Sequence, residues 1–114
     1  MHLSSTERNG DIVVRMDEAR IDAAIAVSFK DAMRAHFSGP HPRVILDLSQ
    51  VEFVDSSGLG AIVAILKEAG DDKSFALAGM TPGVEKVFRL TRMDSVFTIF
   101  PSVEDGFADE AHAS

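Results

Sequence analysis

The feature that most constrains this chain is the run VILDLSQVEFVDSSGLGAIVAIL, residues 44–66. Its beginning, RVILDL over 43–48, is β-branched and nearly continuously apolar, as expected of a strand covered on both faces. Its end has a different period. Leu59, Ile62, Val63 and Leu66 fall at i, i+3, i+4 and i+7, which predicts a helix with one buried face, starting near Asp55 or Ser56 and ending near Gly70. A doubly covered strand followed after a short loop by an amphipathic helix suits a layered α/β domain. At the junction stand three polar residues in a row, Asp55, Ser56 and Ser57, and then Gly58 and Gly60.

The rest of the chain repeats the alternation. HLSSTER over 2–8 suits a polar edge strand, and Asn9-Gly10 is a hairpin signal leading into the strand DIVVRM. Asp22 is expected to cap a helix carrying Ile25, Phe29, Ala32, Met33 and Phe37. SGPHP over 38–42 stops that helix, with Gly39 suiting the C-terminal cap. SFALAGM over 74–80 reads as a buried strand. Thr81 and Pro82 then start a helix presenting Val84, Val87 and Phe88. SVFTIF over 95–100 reads as the last strand. Ser102 and Asp105 form a capping-box-like start for a C-terminal helix with Val103 and Phe107. The predicted order is ββαβαβαβα: a mixed, mainly parallel sheet of about five strands with about four helices, the strand at 43–48 near its centre. One domain is expected over 1–114, with its core at about 3–107 and a loose tail at 108–114.

Composition narrows the function classes. Hydrophobic residues are 46% and charged residues 25% of the 114, near globular averages, so wholesale disorder is not expected. Eleven basic against eighteen acidic residues give a formal charge of -7, which disfavours non-specific binding to nucleic acid or anionic membrane. The absence of cysteine excludes disulfides, a thiolate nucleophile and cysteine-based metal sites. No apolar run reaches the ~18 residues of a membrane span. MHLSSTERNGD lacks the basic and apolar regions of a signal peptide. A cytoplasmic protein is the expectation.

The common catalytic constellations are missing. A nucleophile elbow needs G-x-S-x-G, whereas the turn here reads VDSSG. The histidines His2, His36, His41 and His112 lie in termini, near a helix end or in a proline loop, where solvent exposure is expected. GLGAIV over 58–63 offers G-x-G without a third glycine, and no G-x-x-x-x-G-K-[ST] occurs. No spacing suits a metal site. Asp47 and Asp55 do not form the D-x-D of a phosphatase. No catalytic activity, cofactor or metal is therefore expected.

Asp55, Ser56 and Ser57 have a plain structural explanation as helix N-caps, which accept bonds from the unpaired N–H groups of the first turn. One cap needs only one side chain, however. Gly58 and Gly60 also cost helix propensity, about 1 kcal/mol each relative to alanine. Glycines there suit a site whose backbone a partner or phosphate approaches closely. A phosphate on either serine would add about -1.5 to -2 charges beside Asp55.

At these residues the sequence resembles the STAS domains, in particular the anti-sigma factor antagonists of bacteria. The family pattern is an apolar strand ending D-L, a short loop, and D-S-[ST]-G-L-G opening a helix. Asp47, Leu48, Asp55, Ser56, Ser57, Gly58, Leu59 and Gly60 match it. The likeness covers roughly residues 3–107. It departs at ARID, 19–22, where the family often has G-R-L-D, and in the tail beyond Phe107.

The resemblance implies partner switching. The unphosphorylated antagonist binds an anti-sigma factor that is also a serine-protein kinase, and so frees sigma factor. Phosphorylation of a serine in D-S-[ST]-G ends the complex, and a PP2C-type phosphatase reverses it. Carried over, the acceptor is Ser57, with Ser56 as the alternative. The partner-facing surface is Asp22, Asp55, Ser56, Ser57, Gly58, Leu59 and Gly60. The protein is expected as a monomer or weak dimer without direct contact to nucleic acid or membrane. STAS-type domains also resemble structural subunits of lipid-transport ATP-binding-cassette systems, which need no phosphorylation. A scaffold subunit of a stress-signalling complex usually carries an extra N-terminal domain.

Overall fold

Asn9 and Gly10 have φ of 53° and 86°. Positive φ at both central residues is what a tight hairpin turn demands. The turn joins two antiparallel strands, β1 (Leu3–Arg8) and β2 (Asp11–Met16). The computed structural model describes residues 1–112, and the side chains of residues 1–108. Short β3 (Arg20–Ile21) follows, then α1 (Ala26–Phe37), β4 (Arg43–Asp47), β5 (Phe53–Val54) and α2 (Ser56–Ala69). The chain continues through β6 (Ser74–Ala78), α3 (Pro82–Leu90), a 3-10 turn at Met93–Ser95, β7 (Thr98–Phe100) and α4 (Asp105–His112).

The main sheet has the order β1-β2-β4-β6-β7, antiparallel at β1–β2 and parallel elsewhere. β4 is central, as its composition predicts: Val44, Ile45 and Leu46 are all fully buried. Alternate residues face opposite layers. Val44 and Leu46 join Val14, Met16, Leu77 and the helical residues Phe29, Met33, Ile62, Ile65, Val84 and Phe88 in the large core. Edge-to-face contacts link Phe37 to Phe75, Phe75 to Phe97 and Phe97 to Phe88, tying α1, β6 and α3 together.

Ile45 faces the other side with Ala76 and Ala78, where Phe107 of α4 covers them. Two cations hold that helix. The Arg8 and Arg43 guanidinium carbons lie 4.3 and 4.9 Å from the centroid of the Phe107 ring. Arg8 is also bidentate to Glu104, at 2.7 and 2.9 Å. Arg43 donates to the Gly106 carbonyl at 2.9 Å and to the buried carboxylate of Asp11 at 3.1 Å. The Ser102–Asp105 start is formed: the Asp105 N–H donates to Ser102 Oγ, which donates to the Asp105 carboxylate.

Several details differ from the sequence reading. α1 begins at Ala26, not behind Asp22, and its N-cap Ile25 makes no side-chain bond. Asp22 instead accepts from the Ala24 N–H at 3.1 Å, forming a turn that leads into the helix. Gly39 is not in the left-handed conformation; Ser38 ends the helix, its N–H bonded to the Ala35 carbonyl. Thr81 takes the N-cap position of α3, but its hydroxyl donates to the Val51 carbonyl at 2.7 Å.

The buried face of α2 is Gly58, Ala61, Ile62 and Ile65, with Leu59, Val63 and Leu66 only half-buried. Of the predicted face, Ile62 is fully buried, while Leu59, Val63 and Leu66 pack against the core from its edge. The last strand starts only at Thr98, since Met93–Ser95 is a 3-10 turn. His36 and His41 are half-buried, not exposed. His41 contacts the Gly10 carbonyl through Nδ1 at 3.1 Å and Glu7 through Nε2 at 3.2 Å. Desolvation, with the His41 charge adding to it, holds the His36 pKa below its ordinary value. α4 extends through the start of the expected tail to His112; the His112 side chain and residues 113–114 lie outside what is described.

Candidate functional site

The D-S-S-G turn is built by a two-residue ladder that the sequence did not reveal. β3 and β5 pair in parallel, Ile21 opposite Val54, as a separate small sheet. The Asp55 N–H continues this ladder to the Ile21 carbonyl at 3.3 Å. That bond fixes where the chain leaves β5 and where α2 starts. Gly58 lies against the same carbonyl: a Cβ there would stand 2.0 Å from the Ile21 oxygen. Gly58 is therefore glycine to let β3 and α2 touch, not to leave the backbone open as expected. Gly60 is different, since a Cβ there meets nothing within 4 Å.

Of the three cap candidates, Asp55 is the cap of α2. Its Oδ1 accepts from the Gly58 N–H at 2.8 Å and its Oδ2 from the Ala23 N–H at 3.1 Å. One carboxylate thus joins the first turn of α2 to the loop before α1. The Gly58 N–H, together with those of Ala23 and Ser57 and the Arg20 charge, holds the carboxyl below its ordinary value of 3.8 against the cost of partial desolvation. A folded pKa below the unfolded one stabilises the fold above the unfolded value, and the effect is lost as pH falls through the folded value. Asp55→Ala should lower the melting temperature at neutral pH, and the gap to wild type should close well below 3.8. Thermal scans across that range check it; a gap that persists in strong acid would contradict the carboxylate as its source.

With Asp55 committed to backbone N–H groups, Ser56 and Ser57 are exposed, and neither hydroxyl has a hydrogen-bond partner among the described residues. They leave α2 on different flanks. Ser57 opens on a shallow groove of about 200 Å³ between α1 and α2, walled by Ala26, Val27 and Lys30. Ser56 opens on a larger, more apolar groove of about 480 Å³ toward α3, lined by Leu59, Val63, Thr91 and Met93. Gly60 borders both. Asp22 lies beside the Asp55 loop and faces Arg20 at 3.5 Å. The structure thus brings Asp22, Asp55, Ser56, Ser57 and Gly60 to one end of the helical layer, with Leu59 half-buried and Gly58 buried beneath them.

Other neighbours of the site escaped the sequence reading. Arg20 stacks on the half-exposed Phe53 ring, 4.4 Å from its centroid. Lys30 and the exposed Val27 sit on the side of α1 that its periodicity assigns to solvent. Nothing local in the sequence marks them, because the second helix makes them part of a groove. No helix among the described residues is long and apolar enough to cross a membrane.

The family model of the STAS domain matches residues 2–106, and the chain belongs to the STAS-domain family. A Thermotoga maritima protein named "Putative anti-sigma factor antagonist" is 31% identical over 101 residues, which are 87% of this chain and 89% of that protein. The crystal structure of an anti-sigma factor antagonist from Mycobacterium paratuberculosis matches with a TM-score of 0.85 at 26% identity, over 95% of this chain and 92% of that one. The Bacillus cell fate determinant SpoIIAA, in its phosphorylated form, shares the fold, with a TM-score of 0.64 at 17% identity over 93% of this chain and 96% of that one.

Proposed function

We propose that this protein is an anti-sigma factor antagonist that works by partner switching in the cytoplasm. Its unphosphorylated form binds an anti-sigma factor that is also a serine-protein kinase, and sigma factor is released. The kinase moves the γ-phosphoryl group of ATP to the Ser57 oxygen: the bond to the β-phosphate oxygen breaks, the Oγ–P bond forms, ADP leaves and the hydroxyl proton passes to the kinase or solvent. A PP2C-type phosphatase hydrolyses the ester and resets the cycle. The protein itself acts as substrate and ligand, without a catalytic group of its own.

The observation that carries this reading is the division of labour at the D-S-S-G turn. Asp55 accepts from both the Gly58 and Ala23 N–H groups, so the cap is complete without either serine. A phosphoryl group at Ser57 would place about two negative charges on an exposed surface without breaking a fold contact. The antagonist names of the relatives at 31% and 26% identity support the same role.

The test is calorimetric titration of the cognate kinase/anti-sigma factor with wild type and Ser57→Asp. The aspartate form should bind at least about tenfold more weakly, ~1.4 kcal/mol, with an unchanged circular dichroism spectrum. Incubation with kinase and ATP should add one phosphate at Ser57. Equal affinities, or an unmodified Ser57 peptide by mass spectrometry, would overturn the proposal. Recovery of transporter permease and ATPase subunits in a pull-down would point instead to a structural role in a lipid-transport system.

A further inference from the structure

Ser57 and Lys30 share one groove, and what separates them is almost bare. Arg34 of α1 donates to Glu68 of α2 at 2.7 Å, which marks where the two helices lie side by side. Lys30 stands one turn nearer the N-terminal ends than Arg34, so it faces the stretch of α2 between Ser57 and Glu68. The Cα–Cβ bond of a helical residue tilts toward the N-terminus, so the Lys30 side chain leaves α1 on the Ser57 side of the groove. The α2 residues of the groove between them are Gly60, Ala61 and Ala64, none with more than a methyl group. Gly60 is not required by packing, since a Cβ there meets nothing within 4 Å. A bulky side chain at 60 would stand between Ser57 and Lys30.

Lys30 makes no ion pair among the described residues, and Glu68 has another cation. The Glu68 carboxyl is held below its ordinary value chiefly by its hydrogen bonds to Arg34, with the Arg34 and Lys30 charges adding to the effect. Arg34 contacts both Glu68 oxygens, at 2.7 and 3.3 Å, so Glu68 keeps its main partner if Lys30 turns away. Ser56 has no equivalent. The cation lining its groove, Lys67, lies eleven positions along the same helix, about 16 Å at 1.5 Å per residue.

We propose that the α1–α2 groove is an internal receptor for the phosphate of phospho-Ser57, with the Lys30 ammonium as its cation. The inference rests on Ser57 being the acceptor, and it extends that reading from charge to shape. The phosphate draws the Lys30 ammonium along the groove past Gly60, and together they fill the groove that a partner would otherwise meet. The phosphorylated state then differs from the free one in surface relief as well as in charge.

Phosphoserine installed by nonsense suppression at position 57 or 56 of the full chain tests this without any kinase. The second ionisation of each phosphate is followed by phosphorus-31 NMR across pH. An opposite charge at close range favours the dianion. The phosphate at 57 should therefore titrate about half a unit or more lower in the wild-type background than with Lys30→Gln, while Lys67→Gln leaves it unchanged. The phosphate at 56 should not respond to Lys30→Gln. An unshifted titration at 57 in Lys30→Gln, an equal response at 56, or an equal response to Lys67→Gln would overturn the receptor. Because the phosphate is placed genetically, absence of a kinase for Ser57 would sink the functional reading alone, and an unshifted titration would sink the receptor alone.

Discussion

Gly58→Ala is expected to destabilise the domain by about 3 kcal/mol, although alanine is the better helix former. The new methyl would sit 2.0 Å from the Ile21 carbonyl oxygen and 2.8 Å from its carbonyl carbon. A backbone carbonyl cannot rotate away as a side chain can. Either β3 must part from β5 or the first turn of α2 must retreat. Both routes strain the Asp55 N–H bond to Ile21 and the Ala23 N–H bond to Asp55. The gain in helix propensity, about 1 kcal/mol, is too small to offset this. Gly60→Ala is the control. It collects the same propensity in open space and should be neutral to stabilising by up to about 1 kcal/mol. Urea titrations of the two variants give the comparison, and equal midpoints would contradict the close approach of β3 to α2.

Arg43→Met is expected to cost about 3–5 kcal/mol. Asp11 is 5% exposed, and the Arg43 guanidinium lies 3.0 Å from its carboxylate. Methionine fills similar space, so packing over Phe107 is largely kept, but a buried carboxylate loses its counter-charge. The Gly106 carbonyl loses a donor at the same time. The double variant Arg43→Met, Asp11→Leu should recover most of the loss, because removing both members of a buried pair is far less costly than removing one. Chemical denaturation of the three variants measures the coupling. If the single and double variants are equally unstable, the loss comes from packing on Phe107 and not from the stranded charge.

Legibility in the sequence followed the range of the interactions. The hairpin at Asn9-Gly10, the strand at 43–47, the cap at Asp55 and the Ser102–Asp105 start were all readable, since each depends on residues a few positions apart. β3 and β5 were not. Two residues each are too few for a period, and their pairing joins segments more than thirty positions apart. Asp22 was placed in the right neighbourhood with the wrong job, because a single aspartate signals a turn as readily as a helix cap. The buried face of α2 was legible in part: hydropathy marked Ile62, and Leu59, Val63 and Leu66 at its edge, while the burial of Gly58 comes from the approach of β3 and leaves no hydropathy signal.

The sequence by itself determined that a doubly covered strand runs into a capped helix, and that D-S-S-G stands at the join. Those statements need only the alternation of apolar residues and the chemistry of the first helical turn. Only the tertiary structure decided what the four positions do. The approach of the Ile21 carbonyl makes Gly58 a packing residue, and the Gly58 and Ala23 N–H groups occupy both oxygens of Asp55. The flanking helices send Ser56 toward Met93 and Ser57 toward Lys30. Neighbouring serines a hundred degrees apart on a helix look alike in sequence, and they acquire different surroundings only when other elements pack on either side.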